Sequence, residues 1–394
     1  MRILGIESSC DDTSVALLDC SEQGCFILSE KTASQIEIHK KYGGVVPEIA
    51  GRMHAEKIVP LIEEVLSNTP PHPPSKRVEY TKPDIIAVTT GPGLVTGLIV
   101  GAEAARALSY AWDIPVVAVN HLEGHIHSVE ILNPKPETLN KSENTKQYPI
   151  SNNQYLALAL IARGAHTSLI YIEQQGVYKI LGKTVDDAAG ECFDKVAKLL
   201  DLPYPGGPQI SKLALTGNTK AIQFPRPMLK EKIDFSAKGG PAFGWSFSGL
   251  KTSALYWLKD NTLAIASEAK QSPSKPEITS SLTAPRNDIT INDFCASFEQ
   301  AIVDVLVGKT IKAVQEYNPK TVILAGGVSA NKKLRETLKN ELATVTPHSL
   351  LLTPSLTYCM DNASMIAVAG YYQALKNNYT DWRKIIVDPN WKLA

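Results

Sequence analysis

Ile3–Val15 reads ILGIESSCDDTSV, and Ala157–Leu169 reads ALALIARGAHTSL. Each is an apolar run, a polar turn and an apolar return, the pattern of a β-hairpin. Thr13-Ser14 falls on Thr167-Ser168. Just beyond, Gln23-Gly24-Cys25-Phe26 meets Gln175-Gly176-Val177-Tyr178, and Lys31-Thr32 meets Lys183-Thr184, so a third strand follows in both places. Further on, Pro83–Val88 (PDIIAV) resembles Pro319–Leu324 (PKTVIL), and each leads into a glycine turn that feeds a helix, at Gly91 and at Gly326-Gly327. Three matches in one order make the chain two copies of a hairpin-strand-helix-strand-helix plan.

Two such α/β halves describe the duplicated actin, Hsp70 and sugar-kinase (ribonuclease H-like) architecture. Its nucleotide lies in the cleft between the halves, where turn N–H groups and helix N-termini attract phosphate. The division expected is a first half at 1–131, a polar linker or insertion at 132–154, and a second half at 155–394 with a polar insertion near 267–292. The two polar stretches are rich in Asn, Lys, Pro, Ser and Thr and read as solvated loops. A helix is expected from about Pro47 to Leu66, with Ile49, Met53, Leu61, Ile62 and Val65 on its apolar side. Gly93, Gly97 and Gly101 recur every fourth residue, which lets the helix at about 94–112 approach a neighbour closely.

Composition narrows the function classes. Lys+Arg and Asp+Glu both number 40, which excludes a polycation built to coat nucleic acid but leaves room for a local basic patch. The six cysteines form no Cys-x-x-Cys pair, and they read as reduced thiols of a cytosolic protein. The most apolar stretch, around Leu94–Tyr110, carries Glu103 and Arg106, and the N-terminal run soon meets Glu7, Asp11 and Asp12. No membrane span and no signal peptide is read, and the expected location is the cytoplasm.

His121-Leu122-Glu123-Gly124-His125 follows a strand and opens a helix capped by Asn120. The i, i+4 spacing puts both imidazoles on one face, which suits one metal or, equally well, two surface histidines. This is not a zinc-protease motif, because Glu123 lies about 200° around the helix from His121 and points away. The repeat suggests a third ligand. Asp361 precedes the apolar helix Ala363–Leu375, at the place in the second half that the histidine loop holds in the first. Asp361 reads either as a plain N-cap or, opposite the histidines, as the ligand that completes a two-His-one-carboxylate set fitting Fe(II) or Zn. The turn ahead of Asn331 lets a ligand approach, and Asn331 can bond a ribose or base.

Taken in order, ESSCDDTSVAL, GPGLVTGL, NHLEGH, DDAAGECFDKVAKLLDLPYPGGP, WSFSGLKT, AGGVSAN and CMDNASMIA closely resemble the tRNA N6-adenosine threonylcarbamoyltransferase family, TsaD (also Gcp or YgjD), over nearly the whole chain. The resemblance implies transfer of threonylcarbamoyl from threonylcarbamoyl-AMP to N6 of the adenosine 3′ of the anticodon, in tRNAs reading ANN codons, forming t6A. It implies one divalent transition metal per chain, Fe(II) ahead of Zn, held by His121, His125 and Asp361. It implies adenylate contacts from Ala162, Arg163, Gly164, Ala165 and His166, and from Asp194, Gly207 and Asn331. Its partners are tRNA and TsaB- and TsaE-type proteins. The family usually has Ser-Gly-Gly-His-Thr where this chain has Arg163-Gly164-Ala165-His166-Thr167, and Cys-Asp-Glu-Thr where it has Cys10-Asp11-Asp12-Thr13.

Asp11 and Asp12 are the candidates to take the amine proton. Lys230/Lys232/Lys238 and Lys332/Lys333/Arg335 are candidate RNA contacts, against the commoner reading of solvated surface. Three other functions compete: a small-molecule kinase of the same superfamily, a non-catalytic ATPase-like scaffold, and a metallopeptidase, the last weakened by where Glu123 points.

Overall fold

The computed structural model describes residues 1–67, 82–132, 156–229, 243–261 and 289–393. The first sheet runs β5-β4-β1-β2-β3-β6, from β1 (Arg2–Glu7), β2 (Asp12–Ser21), β3 (Gly24–Ser34), β4 (Ile85–Gly91), β5 (Val116–Asn120) and β6 (Ile131–Leu132). The second runs β11-β10-β7-β8-β9, from β7 (Ala157–Ala162), β8 (Thr167–Gln174), β9 (Val177–Lys183), β10 (Thr321–Ala325) and β11 (Leu350–Leu352). In both, three antiparallel strands continue into two parallel ones, so the two copies read from the sequence are two sheets of one design.

Both sheets are apolar on two faces, as strands covered by helices on each side require. The short helix α1 (Ile36–His39) leads to α2 (Pro47–Ser67), which packs with α3 (Val95–Trp112) on one face of the first sheet against Leu4, Ile6, Val15, Leu17, Ile86 and Val88. The buried line of α2 is Ala50, His54, Ile58, Leu61, Ile62 and Val65. Ile49 and Met53 are only half-buried and His54 takes the core position, because Thr13 Oγ1 (2.8 Å) and the Cys10 carbonyl (3.0 Å) occupy its two ring nitrogens. On the outer face of the second sheet lie α5 (Ala189–Leu199), α6 (Gly206–Ala214), α7 (Ser248–Asp260), α8 (Ile291–Tyr317) and α9 (Lys332–Val345), around Phe193, Trp245, Phe247, Phe294 and Phe298.

Two helices cross between the halves. The helix α4 (His121–His127) follows β5 of the first sheet, yet Leu122 and Ile126 pack on Ala159, Ile161, Ile170 and Ile323 of the second. The helix α10 (Ala363–Leu375) follows the second sheet in sequence, yet its Met365, Ile366, Ala367 and Ala369 pack on Ile3, Ala16, Ala87 and Val119 of the first. The crossing helices touch at Gly124, where a Cβ would lie 2.6 Å from Ile366 Cδ1. Crossing brings the start of α4 and the approach to α10 to one point.

The spaced glycines find their neighbour in the turn between β1 and β2. A Cβ at Gly93, Gly97 or Gly101 would fall 2.6, 2.2 or 2.4 Å from atoms of Ser9 or Ser8. The reading of reduced cysteines fails at one place. The β2–β3 register sets Cys20 opposite Cys25, with Cα atoms 4.0 Å apart, and the two form a disulfide. Cys10, Cys192, Cys295 and Cys359 are free.

Most of both polar stretches lies outside the described residues. The end of the second does not: Thr290 caps α8, its Oγ1 accepting from Asp293 N while Asp293 accepts from Thr290 N. Among the described residues no helix is long and apolar enough to cross a membrane.

Candidate metal centre

The β1–β2 turn builds the first wall of the site. Glu7 ends β1 fully buried, and its two oxygens divide their work. One accepts from Ser9 N (2.6 Å); the other accepts from Thr89 Oγ1 (2.6 Å) and faces His121 Nδ1 (2.9 Å). Ser9 Oγ also lies 3.0 Å from that Nδ1. Asn120 caps α4 by accepting from Leu122 N, which fixes the helix start and aims His121 inward.

His121, His125 and Asp361 meet here, all buried, with candidate ligand atoms within 4.8 Å of one another. Asp361 Oδ1 lies 3.4 Å from His121 Nε2 and 3.1 Å from His125 Nε2. Among the described residues His121 Nε2 has no hydrogen-bond partner. A buried, unpartnered ring nitrogen aimed at a carboxylate, with its other nitrogen bonded to a second carboxylate, is the donor set a metal requires, and the residues fit an ion. Glu123 takes no part. It accepts from Tyr178 Oη and Gln373 Nε2, on the side away from the histidines. His127, off the shared face, pairs instead with Glu130 at 2.6 Å.

Asp361 is not the helix cap. Asn362 is, accepting from Met365 N at 2.8 Å, which leaves the Asp361 carboxylate free to face the histidines. The carboxylate also meets Arg163, whose Nη2 donates to both oxygens at 2.9 and 2.7 Å. Burial works to raise the Asp361 pKa, but Arg163 and His121 hold it well below the usual carboxylate range. Burial and Arg163 push His125 down to about 4, so its imidazole is neutral near pH 7, as a ligand must be. For His121, burial and Arg163 act downward, yet Glu7 and Asp361 on either side outweigh them, and its pKa is raised.

Ala162, Arg163, Gly164, Ala165 and His166 form the β7–β8 turn. It is tied to the start of α5 by Gly190 N to the Arg163 carbonyl and Glu191 N to the Gly164 carbonyl, both 3.0 Å. Burial, with Arg163 and His121 nearby, lowers His166 to about 4. Asp194 accepts from Gly206 N at 2.7 Å, and Gly207 N adds to the same carboxylate. Burial raises Asp194 to about 6, against those two N–H groups. Tyr204 Oη reaches Asp11 at 3.5 Å, another link between the two halves. Asp12 is buried, its Oδ1 without a partner among the described residues, and burial raises it to about 7 against a Ser34 hydrogen bond.

Asn331 is bonded on both sides of its amide. Its Oδ1 caps α9 at Leu334 N, and its Nδ2 donates to Glu299 (2.7 Å) and Ser211 (3.0 Å). Arg335 turns inward to the Ser329 and Pro354 carbonyls and Cys359, so the reading of that cluster as RNA-facing loses its arginine. Lys230, Lys232 and Lys238 lie outside the described residues.

The sequence reading gave Glu7 and Ser9 no role. The available signal was a carboxylate ending an apolar strand, a position that folding buries and that therefore needs a partner. By the resemblance Arg163 is an adenylate contact; its tie to Asp361 joins two residues of the second half that are 198 apart in sequence, and leaves no local pattern.

The profile of the tRNA N6-adenosine threonylcarbamoyltransferase family matches residues 26–368. A protein of that description from Bacillus subtilis (strain 168) is 42% identical over 370 residues, covering 94% of this chain and 90% of that protein. One from Geotalea uraniireducens (strain Rf4) is 42% identical over 395 residues, covering 100% and 97%. Among solved structures, full-length HypF in its phosphate- and nucleotide-bound form aligns with a TM-score of 0.51 at 12% identity, over 95% of this chain and 46% of that one. That likeness is one of fold.

Proposed function

The chain belongs to the tRNA N6-adenosine threonylcarbamoyltransferase family and is a transferase of tRNA modification; from that premise we propose that it moves threonylcarbamoyl from threonylcarbamoyl-AMP to N6 of the adenosine 3′ of the anticodon in tRNAs reading ANN codons, yielding t6A. The observation that carries the reading is the buried His121–His125–Asp361 set, drawn from both halves. A divalent transition metal bound there, Fe(II) by preference and Zn as second choice, would supply Lewis acidity toward the threonylcarbamoyl group.

The chain's own residues do the rest. Glu7 holds the Nδ1 proton of His121, so that Nε2 presents its lone pair. The β7–β8 turn at 162–166, Asp194, Gly207 and Asn331 are the residues proposed to contact the adenylate. The amine of adenosine forms the new C–N bond to the carbamoyl carbon, the C–O bond to phosphate breaks, and AMP departs. Asp12, raised to about 7, is suited to take the amine proton near neutral pH, with Asp11 beside it. The acceptor base sits in a single-stranded loop, so extruding it costs little.

TsaB- and TsaE-type proteins are proposed as partners on the resemblance, and the cytoplasm as the location on the sequence reading of the cysteines and the apolar stretches. Reconstitution with threonylcarbamoyl-AMP, tRNA and such partners, followed by nucleoside mass spectrometry, tests the whole. Formation of t6A that is lost in His121→Ala and His125→Ala supports the proposal; absence of t6A under all metal conditions overturns it.

A further inference from the structure

Asp361 already has a cation. The Arg163 guanidinium donates to both of its oxygens, at 2.9 and 2.7 Å, and both side chains are nearly buried, at 11 and 12% exposure. The same carboxylate is the only anionic member of the His121–His125–Asp361 set. Arg163 takes up one lone pair on each Asp361 oxygen, and an ion coordinated by Asp361 would sit a few Å from that positive charge in a site where water screens poorly.

We propose that Arg163 is a built-in competitor for the metal: the ion and the guanidinium take Asp361 in turn, and loading the ion releases Arg163 toward the cleft. The inference rests on the metal reading above. The competition lowers this chain's metal affinity below that of the same site with a small residue at position 163.

The local structure allows such an exchange by the side chain alone. The Arg163 backbone is fixed on both sides, its N–H on the His166 carbonyl (2.8 Å) and its carbonyl on Gly190 N (3.0 Å). The stem runs over Gly326, where a Cβ would stand 2.7 Å from Arg163 Cγ, so the absent side chain leaves a track for it. Among the described residues the guanidinium pairs with no acidic side chain besides Asp361. Once parted from Asp361, its remaining partners are water or an anion in the cleft.

The test titrates metal-free full-length protein with Zn(II) against a chromophoric chelator at low ionic strength. Arg163→Ser is expected to bind Zn(II) about tenfold or more tightly than the wild type, and Arg163→Lys, which keeps the charge, to stay close to the wild type. Equal or weaker binding by a folded Arg163→Ser overturns the competition. Because that variant leaves Asp361 without its cation, a second measurement uses the wild type alone. Phenylglyoxal modification of Arg163, mapped by mass spectrometry, should rise several-fold when Zn(II) is bound; unchanged reactivity with Zn(II) bound overturns the release. If neither wild type nor folded variants bind Zn(II), the metal reading itself falls, and the competition with it.

Discussion

Glu7 Oε2 and His121 Nδ1 lie 2.9 Å apart, both side chains fully buried, one ending the first strand and the other opening α4. Burial works to raise the Glu7 pKa, yet His121 lowers it overall, so Glu7 is an anion that fixes the imidazole proton on Nδ1. Glu7→Gln keeps the shape and presents an amide of either polarity to the ring. Zn(II) affinity, read by chelator competition, should fall by about 10- to 100-fold while the far-ultraviolet spectrum is unchanged. Unchanged affinity would remove Glu7 as the residue that orients His121.

Cap and ligand are neighbours in sequence and separable by mutation. Asn362→Ala removes the α10 cap and should cost about 1 kcal/mol of stability while metal binding persists. Asp361→Asn keeps that cap intact, and should lose metal and transfer activity together. The pair is checked by thermal unfolding and metal analysis. An active Asp361→Asn with full metal occupancy would end the case for a metal shared between the halves.

Gly97→Ala tests whether the glycine stripe holds the turn that holds the site. Its Cβ would fall 2.2 Å from the Ser8 carbonyl, and backbone cannot yield as a side-chain tip can. The expected loss is about 1–3 kcal/mol or more, with weaker metal binding because Ser9 and Glu7 move with the turn. Gly249→Ala, whose Cβ meets nothing within 4 Å among the described residues, is the control and should leave both properties intact.

These residues also show how far the sequence could be read. The hairpins and parallel strands were legible because a duplicated plan repeats its apolar runs and its turn glycines, and repetition needs no knowledge of packing. The His121/His125 face was legible because helix periodicity is local. Asp361 became legible only by laying one half on the other. What stayed hidden depends on contacts across the fold: Glu7 on His121, Arg163 on Asp361, and the exchange of α4 and α10 between the sheets. The Cys20–Cys25 disulfide escaped for another reason. Spacing alone did not announce a pair, but a β2–β3 register that sets the two residues opposite each other does.

Asp12 gives the remaining prediction, in metal-free protein. Burial raises its pKa from 3.8 to about 7, opposed by the Ser34 hydroxyl and reinforced by Asp11, Asp361 and Glu7. The folded state therefore binds a proton that the unfolded state has already released between about pH 4 and 7. By linkage, stability attributable to Asp12 is full below the unfolded value and falls as pH rises toward 7. The integrated loss is at most about 4 kcal/mol. The neutral histidines His125 and His166, both lowered to about 4, act in the opposite sense, since the unfolded chain takes up their protons first as pH falls below about 6.5. A pH scan of the wild type alone would mix the two trends, so the informative quantity is the difference from Asp12→Asn. The variant carries no charge to bury. Its Tm should exceed that of the wild type at pH 7.5 and approach it at pH 4.5, while transfer activity falls if Asp12 receives the amine proton. A Tm difference that does not change with pH would show that Asp12 is already ionised in the folded protein, and would remove the physical basis for its role as the base.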